Sequence, residues 1–316
     1  MFQKSIQKVK LLADKIRQKA TKIARKIIIP GMSGIPLYDV IEFFFKGIQQ
    51  SSLISRANAV SFSFLLAIFP GILFFFTLIP YFPIENLQES IMNTLSRAMP
   101  EDAFNTVEET IRDIISRNNT GLLSLGFVLS LFFATNGMIG LIKAFNRTAH
   151  TIESRSNIKV QLVSILLVIL ISLMVIISMT LLISTNFLLN YLVEQGLIHK
   201  EWTQGLILVG KWVVTFLMVF LAISTIYYLA PAKRKGFHFF TPGSTFATFL
   251  AFVFILGFNI YIENFSQYNK LYGSLGTIII LMLWVNFNMI TLLIGFELNA
   301  SINDAKRRGR SIRENP

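Results

Sequence analysis

Cysteine is absent from this 316-residue chain, and histidine occurs only at His150, His199 and His238, far apart in sequence. The first absence excludes disulfides, thiolate zinc sites and iron–sulfur ligation, and it leaves the redox compartment open. The second is a thin supply of imidazole for a metal hydrolase. Charge is scarce too: 15% of residues are Asp, Glu, Lys or Arg, against about 25% in soluble domains. No nucleotide-binding motif, zinc signature, nucleophile elbow or kinase set appears. No catalytic, cofactor-binding or metal-ligating residue is therefore assigned. In their place stand 53% hydrophobic residues, 30 of the total being Phe, and a mean hydropathy of +0.60. Such a composition belongs to a membrane protein.

Crossing a bilayer takes about 20 apolar residues. Six runs reach that length, at about 57–81, 120–141, 160–191, 205–229, 241–262 and 274–298. The expected fold is all-α, a polytopic bundle of six transmembrane helices occupying 31–303, with amphipathic helices at the N-terminus and in one extracytoplasmic loop. Pro70-Gly71 interrupts the first run, where Pro70 removes a backbone donor. Thr241-Pro242 suits a helix start, with Thr as N-cap and Pro at the first helical position. Residues 1–30 read as a basic amphipathic helix on the inner membrane face, with apolar positions at Ile6, Val9, Leu12, Ile16, Ile23 and Ile27. The 83–119 loop reads as a helical hairpin divided by Pro100, its faces lined by Leu87, Ile91 and Leu95 and by Phe104, Val107, Ile111 and Ile114. Residues 304–316 form a basic tail.

Charge placement sets the expected topology. Of the 29 Lys/Arg residues, 23 lie in 1–56, 143–159, 231–240 and after 300. The alternate connections hold the other six, with ten of the 17 acids. The positive-inside rule puts both termini in the cytoplasm and the 83–119 hairpin outside, in a bacterial cytoplasmic membrane. The net charge of +12 is then spread over four membrane-facing segments, without the aromatic interleaving that stacks bases. Nucleic acid is excluded as a partner on that ground. The bilayer, with anionic lipid at the basic segments, is the expected one, and a second copy or an envelope protein could join it.

The 257–300 stretch carries the most intramembrane polarity. On its helix Thr277, Trp284, Asn288, Thr291 and Gly295 share one face, while Asn286 and Glu297 lie on the opposite side. A helix so marked on two sides is expected to be surrounded by others. Glu297 lies at the depth of Lys143 and Arg147, and an ion pair with one of them is preferred to a proton or ion relay. The amides Asn136, Asn259, Asn286 and Asn288 can each glue helices, at about 0.6 kcal/mol apiece. Together with Glu297 they make the candidate intramembrane polar site. Gly243, Ala247 and Ala251 form a ridge of small residues for close helix contact.

Several stretches resemble the YihY/BrkB family of bacterial inner-membrane proteins: NAVSFSFLLAIFP (58–70), GMIGLIKAFNRTAH (137–150), YYLAP (227–231), TPGSTFATF (241–249) and YNKLYGSLGTIIILMLWVNFNMITLLIGFELNA (268–300). The resemblance covers about 38–303 and implies six spans. It brings no site residues with it. The family once carried a ribonuclease BN label, which this sequence opposes: it has no HxHxDH-type ligands, no cysteine and no soluble domain. One branch is associated with virulence and serum resistance, which implies an envelope or export role. The expected function is transport or envelope maintenance without enzymatic activity. The alternative is a membrane scaffold that binds envelope partners.

Overall fold

The computed structural model describes residues 36–50, 52–81, 87–98, 101–148, 153–195, 200–232, 238–264 and 274–314. The expected N-terminal amphipathic helix lies outside them. The described helices are α1 (Leu37–Gln50), α2 (Leu53–Leu78, followed by a 3-10 turn at Ile79–Tyr81), α3 (Leu87–Ala98), α4 (Glu101–Ser116), α5 (Thr120–Thr148), α6 (Asn157–Glu194), α7 (Lys200–Leu229), α8 (Pro242–Asn264) and α9 (Ser274–Glu314). Six of these, α2 and α5 to α9, are long and apolar enough to cross a membrane, so the all-α polytopic architecture holds. The expected N-cap also forms. Thr241 Oγ1 accepts the Ser244 N–H at 3.1 Å, satisfying one of the orphan donors of the α8 first turn.

Packing follows chain order. Each spanning helix packs on the next, and α9 returns to α2, closing a ring. Both α1 and α5 also touch α9. The N-termini of α2, α6 and α8 meet the C-terminal halves of α5, α7 and α9 at one end, which carries Arg56, Lys143, Arg147 and Arg155 and is termed the basic end.

The core sits in that half of the ring. Phe145 of α5 stacks on Phe296 of α9 at a centroid distance of 4.1 Å. Tyr227 of α7 meets both rings edge-on, at 5.6 and 5.5 Å, and its hydroxyl donates to the Leu292 carbonyl at 2.6 Å. Edge-to-face pairing suits the aromatic quadrupole, and the hydrogen bond satisfies a phenol that is otherwise buried. Beside this stack α8 crosses α9 at Gly243 and Gly295. A Cβ on Gly243 would fall 2.2 Å from the Gly295 carbonyl oxygen, and one on Gly295 would fall 2.5 Å from both Ala247 Cβ and Tyr227 Oη. The ridge of Gly243, Ala247 and Ala251 is buried. Its small residues let the two backbones approach, which in lipid replaces a hydrophobic driving force with close dispersion contact.

The other half is looser. Ile278, Ile279, Met282, Trp284 and Phe287 of α9 are all exposed and point in directions spread around the helix axis. The expectation of an encircled sixth span therefore holds over residues 291–302 and fails nearer the helix start. The same helix runs on to Glu314, taking in most of the expected tail. There Ile302 and Ala305 pack on Val40 of α1. The α3–α4 hairpin docks on the end of α2 through buried Ile79, Met92 and Ile115, with Ile91 and Ile111 alongside.

The α8–α9 crossing is expected to be intolerant of side-chain volume. Gly295→Leu should abolish the monodisperse peak in detergent size-exclusion chromatography, since overpacking costs about 1–3 kcal/mol or more and backbone lies in the way. Gly257→Leu, where nothing lies within 4 Å, should migrate as the wild type.

Candidate functional site

Arg56 occupies the first turn of α2, where the local sequence ISRANAV turns a basic side chain toward the neighbouring α5. It is buried, with 6% of its surface exposed. Its Nη1 donates to the Ala144 carbonyl of α5 at 2.8 Å and to the Thr148 hydroxyl. Its Nη2 stands 3.9 Å from Oε2 of Glu297 on α9, itself buried. One guanidinium thus ties three helices together. Lys143 and Arg147, the partners expected for Glu297 from depth alone, are both exposed and line a neighbouring cleft; the guanidinium facing Glu297 is that of Arg56. Counting Arg56 with the basic N-terminal segment hides this role. Depth along a helix does not reveal the direction in which a side chain leaves it.

A second polar set joins α5, α6 and α7. Asn146 Nδ2 donates to Glu153 Oε2 at 2.6 Å, and its Oδ1 accepts the Ala232 N–H at 2.9 Å. Arg155 Nε and Nη2 donate to Glu153 at 2.8 Å each, and Nη2 also reaches the Ala230 carbonyl at 2.8 Å. The carbonyl that ends α7 is thereby satisfied where no further helical turn can serve it. The Arg155 hydrogen bonds, the largest influence, with help from Asn146, hold the Glu153 carboxyl below the ordinary carboxylate range. A third set joins α8 to α9. Asn299 Oδ1 accepts the Gly243 N–H at 2.8 Å, and its Nδ2 donates to Thr241 Oγ1 at 2.9 Å. Sequence reasoning missed Arg155, Glu153 and Asn299. The signal available for Asn299 was its place within GFELNA, one turn beyond Gly295.

The expected intramembrane amides have separate occupations. Asn286 Nδ2 donates to Asn58 Oδ1 of α2 at 2.7 Å, with Ser61 Oγ at 3.4 Å, so it glues α9 to α2. Asn288 donates back to the Trp284 carbonyl of its own helix at 2.7 Å. Asn136 and Asn259 are exposed on α5 and α8. Glu297 belongs to the Arg56 clamp. The candidate polar site thus divides into a clamp, a glue contact and exposed amides.

Between α2 and α5 at the basic end lies a cleft of about 610 Å³, lined by Arg56, Ser63, Lys143, Arg147, Asn146 and Glu153 among others. Among the described residues no group of three or more His, Asp or Glu is placed to hold a metal.

A ring of six spanning helices, clamped at one end by a buried ion pair and by amide and guanidinium bridges, defines a polytopic α-helical membrane protein. The chain belongs to the Virulence factor BrkB family, whose model matches residues 44–316. It is 28% identical over 257 residues to the putative ribonuclease-like protein YfkH of Bacillus subtilis, covering 80% of this chain and 91% of that protein. It is 26% identical to the UPF0761 membrane protein MS0032 of Mannheimia succiniciproducens, over 83% of this chain and 89% of the other. Identity to the UPF0761 membrane protein NTHI0384 of Haemophilus influenzae is 25%, over 83% and 94%. These findings bear out the family resemblance read from the 268–300 stretch. No solved structure matches the chain.

A depressed carboxyl stabilises the fold above the pH range where free carboxylates titrate, and that contribution disappears as pH falls through the depressed value. Glu153→Gln should therefore melt lower than the wild type at pH 7, by about 2–4 °C. The two proteins should converge as pH is taken below the ordinary value of 4.5, as read by differential scanning fluorimetry.

Proposed function

We propose that this protein is a transporter-like or envelope-maintenance component of the bacterial cytoplasmic membrane, working without catalysis. One observation carries the reading. Stacked aromatic rings and hydrogen-bonded polar groups join the helices at the basic end, beside the α2–α5 cleft, while in the other half α9 is accessible on several sides. A ring held firmly at one end and loosely toward the other is what an alternating-access protein that pivots about that end requires. Asn286 and Ser61, on facing helices, sit at the junction of the two halves. A movement that exchanged the Asn286–Asn58 bond for contact with a solute would cost little, since such amide contacts are worth about 0.6 kcal/mol each.

In this reading both termini are cytoplasmic, the basic end faces anionic lipid, and the α3–α4 hairpin is outside. The ribonuclease-like name belongs to the Bacillus relative. For the present chain the reading expects no RNA cleavage by the purified protein.

A second reading, a scaffold for envelope partners, rests on the hairpin. It docks through a small apolar patch and presents Glu89, Arg112 and Glu108 on its surface, bridged at 2.9 and 3.3 Å. Its removal would abolish a scaffold's phenotype while leaving solute movement in proteoliposomes intact.

Because the chain has no cysteine, single-cysteine scanning needs no prior background removal. Cysteines replacing Met282, Trp284 and Asn288 should react with a membrane-impermeant maleimide added from outside, at rates falling toward Thr291. Uniform protection of all three in intact cells, alongside a reactive control cysteine at Glu109, would rule out an accessible half-ring.

A further inference from the structure

We propose that the cleft between α2 and α5 binds a phosphate group through Arg56, Lys143 and Arg147. Nη1 of Arg56 is held by Ala144 and Thr148, whereas its Nε and Nη2 are buried without a hydrogen-bond partner. Nη2 lies 3.9 Å from the Glu297 carboxylate, beyond hydrogen-bond length. A buried guanidinium leaving two nitrogens unsatisfied is costly unless something completes its shell. Those nitrogens belong to a side chain lining a cleft of about 610 Å³, which is within the usual size of small-ligand sites.

The surroundings select the sign and class of the ligand. Lys143 and Arg147, four residues apart on one face of α5, line the same cleft and are exposed. The carboxylate in its lining, Glu153, is already engaged by Arg155 and Asn146. With Arg56 facing Glu297 and Glu153 already engaged, the exposed Lys143 and Arg147 leave the cleft with an excess of positive charge, which favours a multiply charged anion. Guanidinium offers paired donors that match phosphate oxygens, and ammonium adds a point charge. Ala59 and Val60 form an apolar part of the wall, so a phosphate carrying an apolar substituent would fit as well as a bare one. A lipid headgroup and a soluble phosphate share the recognised chemistry. The proposal stands whether or not the ring moves a solute, because it concerns occupancy of the basic end alone.

Calorimetric titration of the purified full chain, in a neutral maltoside detergent, tests it with two probes: inorganic phosphate and dihexanoyl phosphatidic acid. Saturable binding of at least one probe is expected. Comparable affinity for both would identify a soluble phosphate as the natural source. Binding of the lipid at least tenfold tighter, with inorganic phosphate competing, would identify a lipid headgroup. The exposed pair is altered as Lys143→Gln with Arg147→Gln, which spares the contacts of Arg56. Affinity should fall roughly tenfold or more, because two cations facing the anion are removed. The melting midpoint without ligand should stay unchanged. Lys159→Gln, outside the cleft, should bind as the wild type. Absence of saturable binding by either probe would overturn the proposal, as would undiminished affinity in the doubly altered protein.

Discussion

A charged side chain inside a membrane bundle must be met by partners, or the bundle opens to let water reach it. Arg56 imposes that condition on this molecule. Its guanidinium is buried near the end of the ring, where it meets a carbonyl and a hydroxyl of α5 and faces the carboxylate of α9. Removing one member of such a buried pair costs about 3–5 kcal/mol, because the other is stranded. The helices α2, α5 and α9 therefore come together at one depth and one rotation. The stacked rings of Phe145 and Phe296 lie beside this junction, and the Gly243–Gly295 crossing lets α8 approach α9 closely. Each would be out of register if α9 turned about its axis.

The consequence is a ring of unequal halves. At the basic end Asn146 accepts from Ala232 beyond α7, Arg155 donates to Ala230, and Asn299 accepts from Gly243 of α8, which lashes the helices together. The far half rests mainly on apolar contacts, with one exposed hydroxyl pair, Tyr81–Thr120 at 3.2 Å, and with the hairpin packed at the end of α2 through buried Ile79, Met92 and Ile115. Lipid tails compete with apolar contacts on equal terms, so helices there are held more weakly than helices joined by polar groups. That difference in cohesion is the physical basis for reading the far half as the part that rearranges and the basic end as the pivot.

Much of this fold is written in local chemistry. Six long apolar runs, the Thr241-Pro242 helix start and the small ridge of Gly243, Ala247 and Ala251 all announce themselves through length, capping and residue size, and each is present in the structure. The site was less legible. Depth placed Glu297 beside Lys143 and Arg147, yet the opposing charge comes from Arg56, which lies 241 residues earlier in the chain. Which helices adjoin in a ring is a property of the closed assembly, set by how side chains interlock around it. The Glu153–Arg155 bridge depends likewise on where α7 ends in space, because Ala230 and Ala232 supply its backbone partners. By residue type the intramembrane amides form one group. Their rotations about three helices separate them into different tasks.

A double-mutant cycle on Arg56→Met and Glu297→Leu, read as the melting midpoint of the purified protein in neutral detergent, addresses the clamp most directly. Each single change should destabilise strongly. The combined change should recover a large part of the loss, with a coupling energy of about 1–3 kcal/mol, since two buried charges are then removed together. Strictly additive losses, or single changes that leave the midpoint unaltered, would contradict the claim that this ion pair closes the ring.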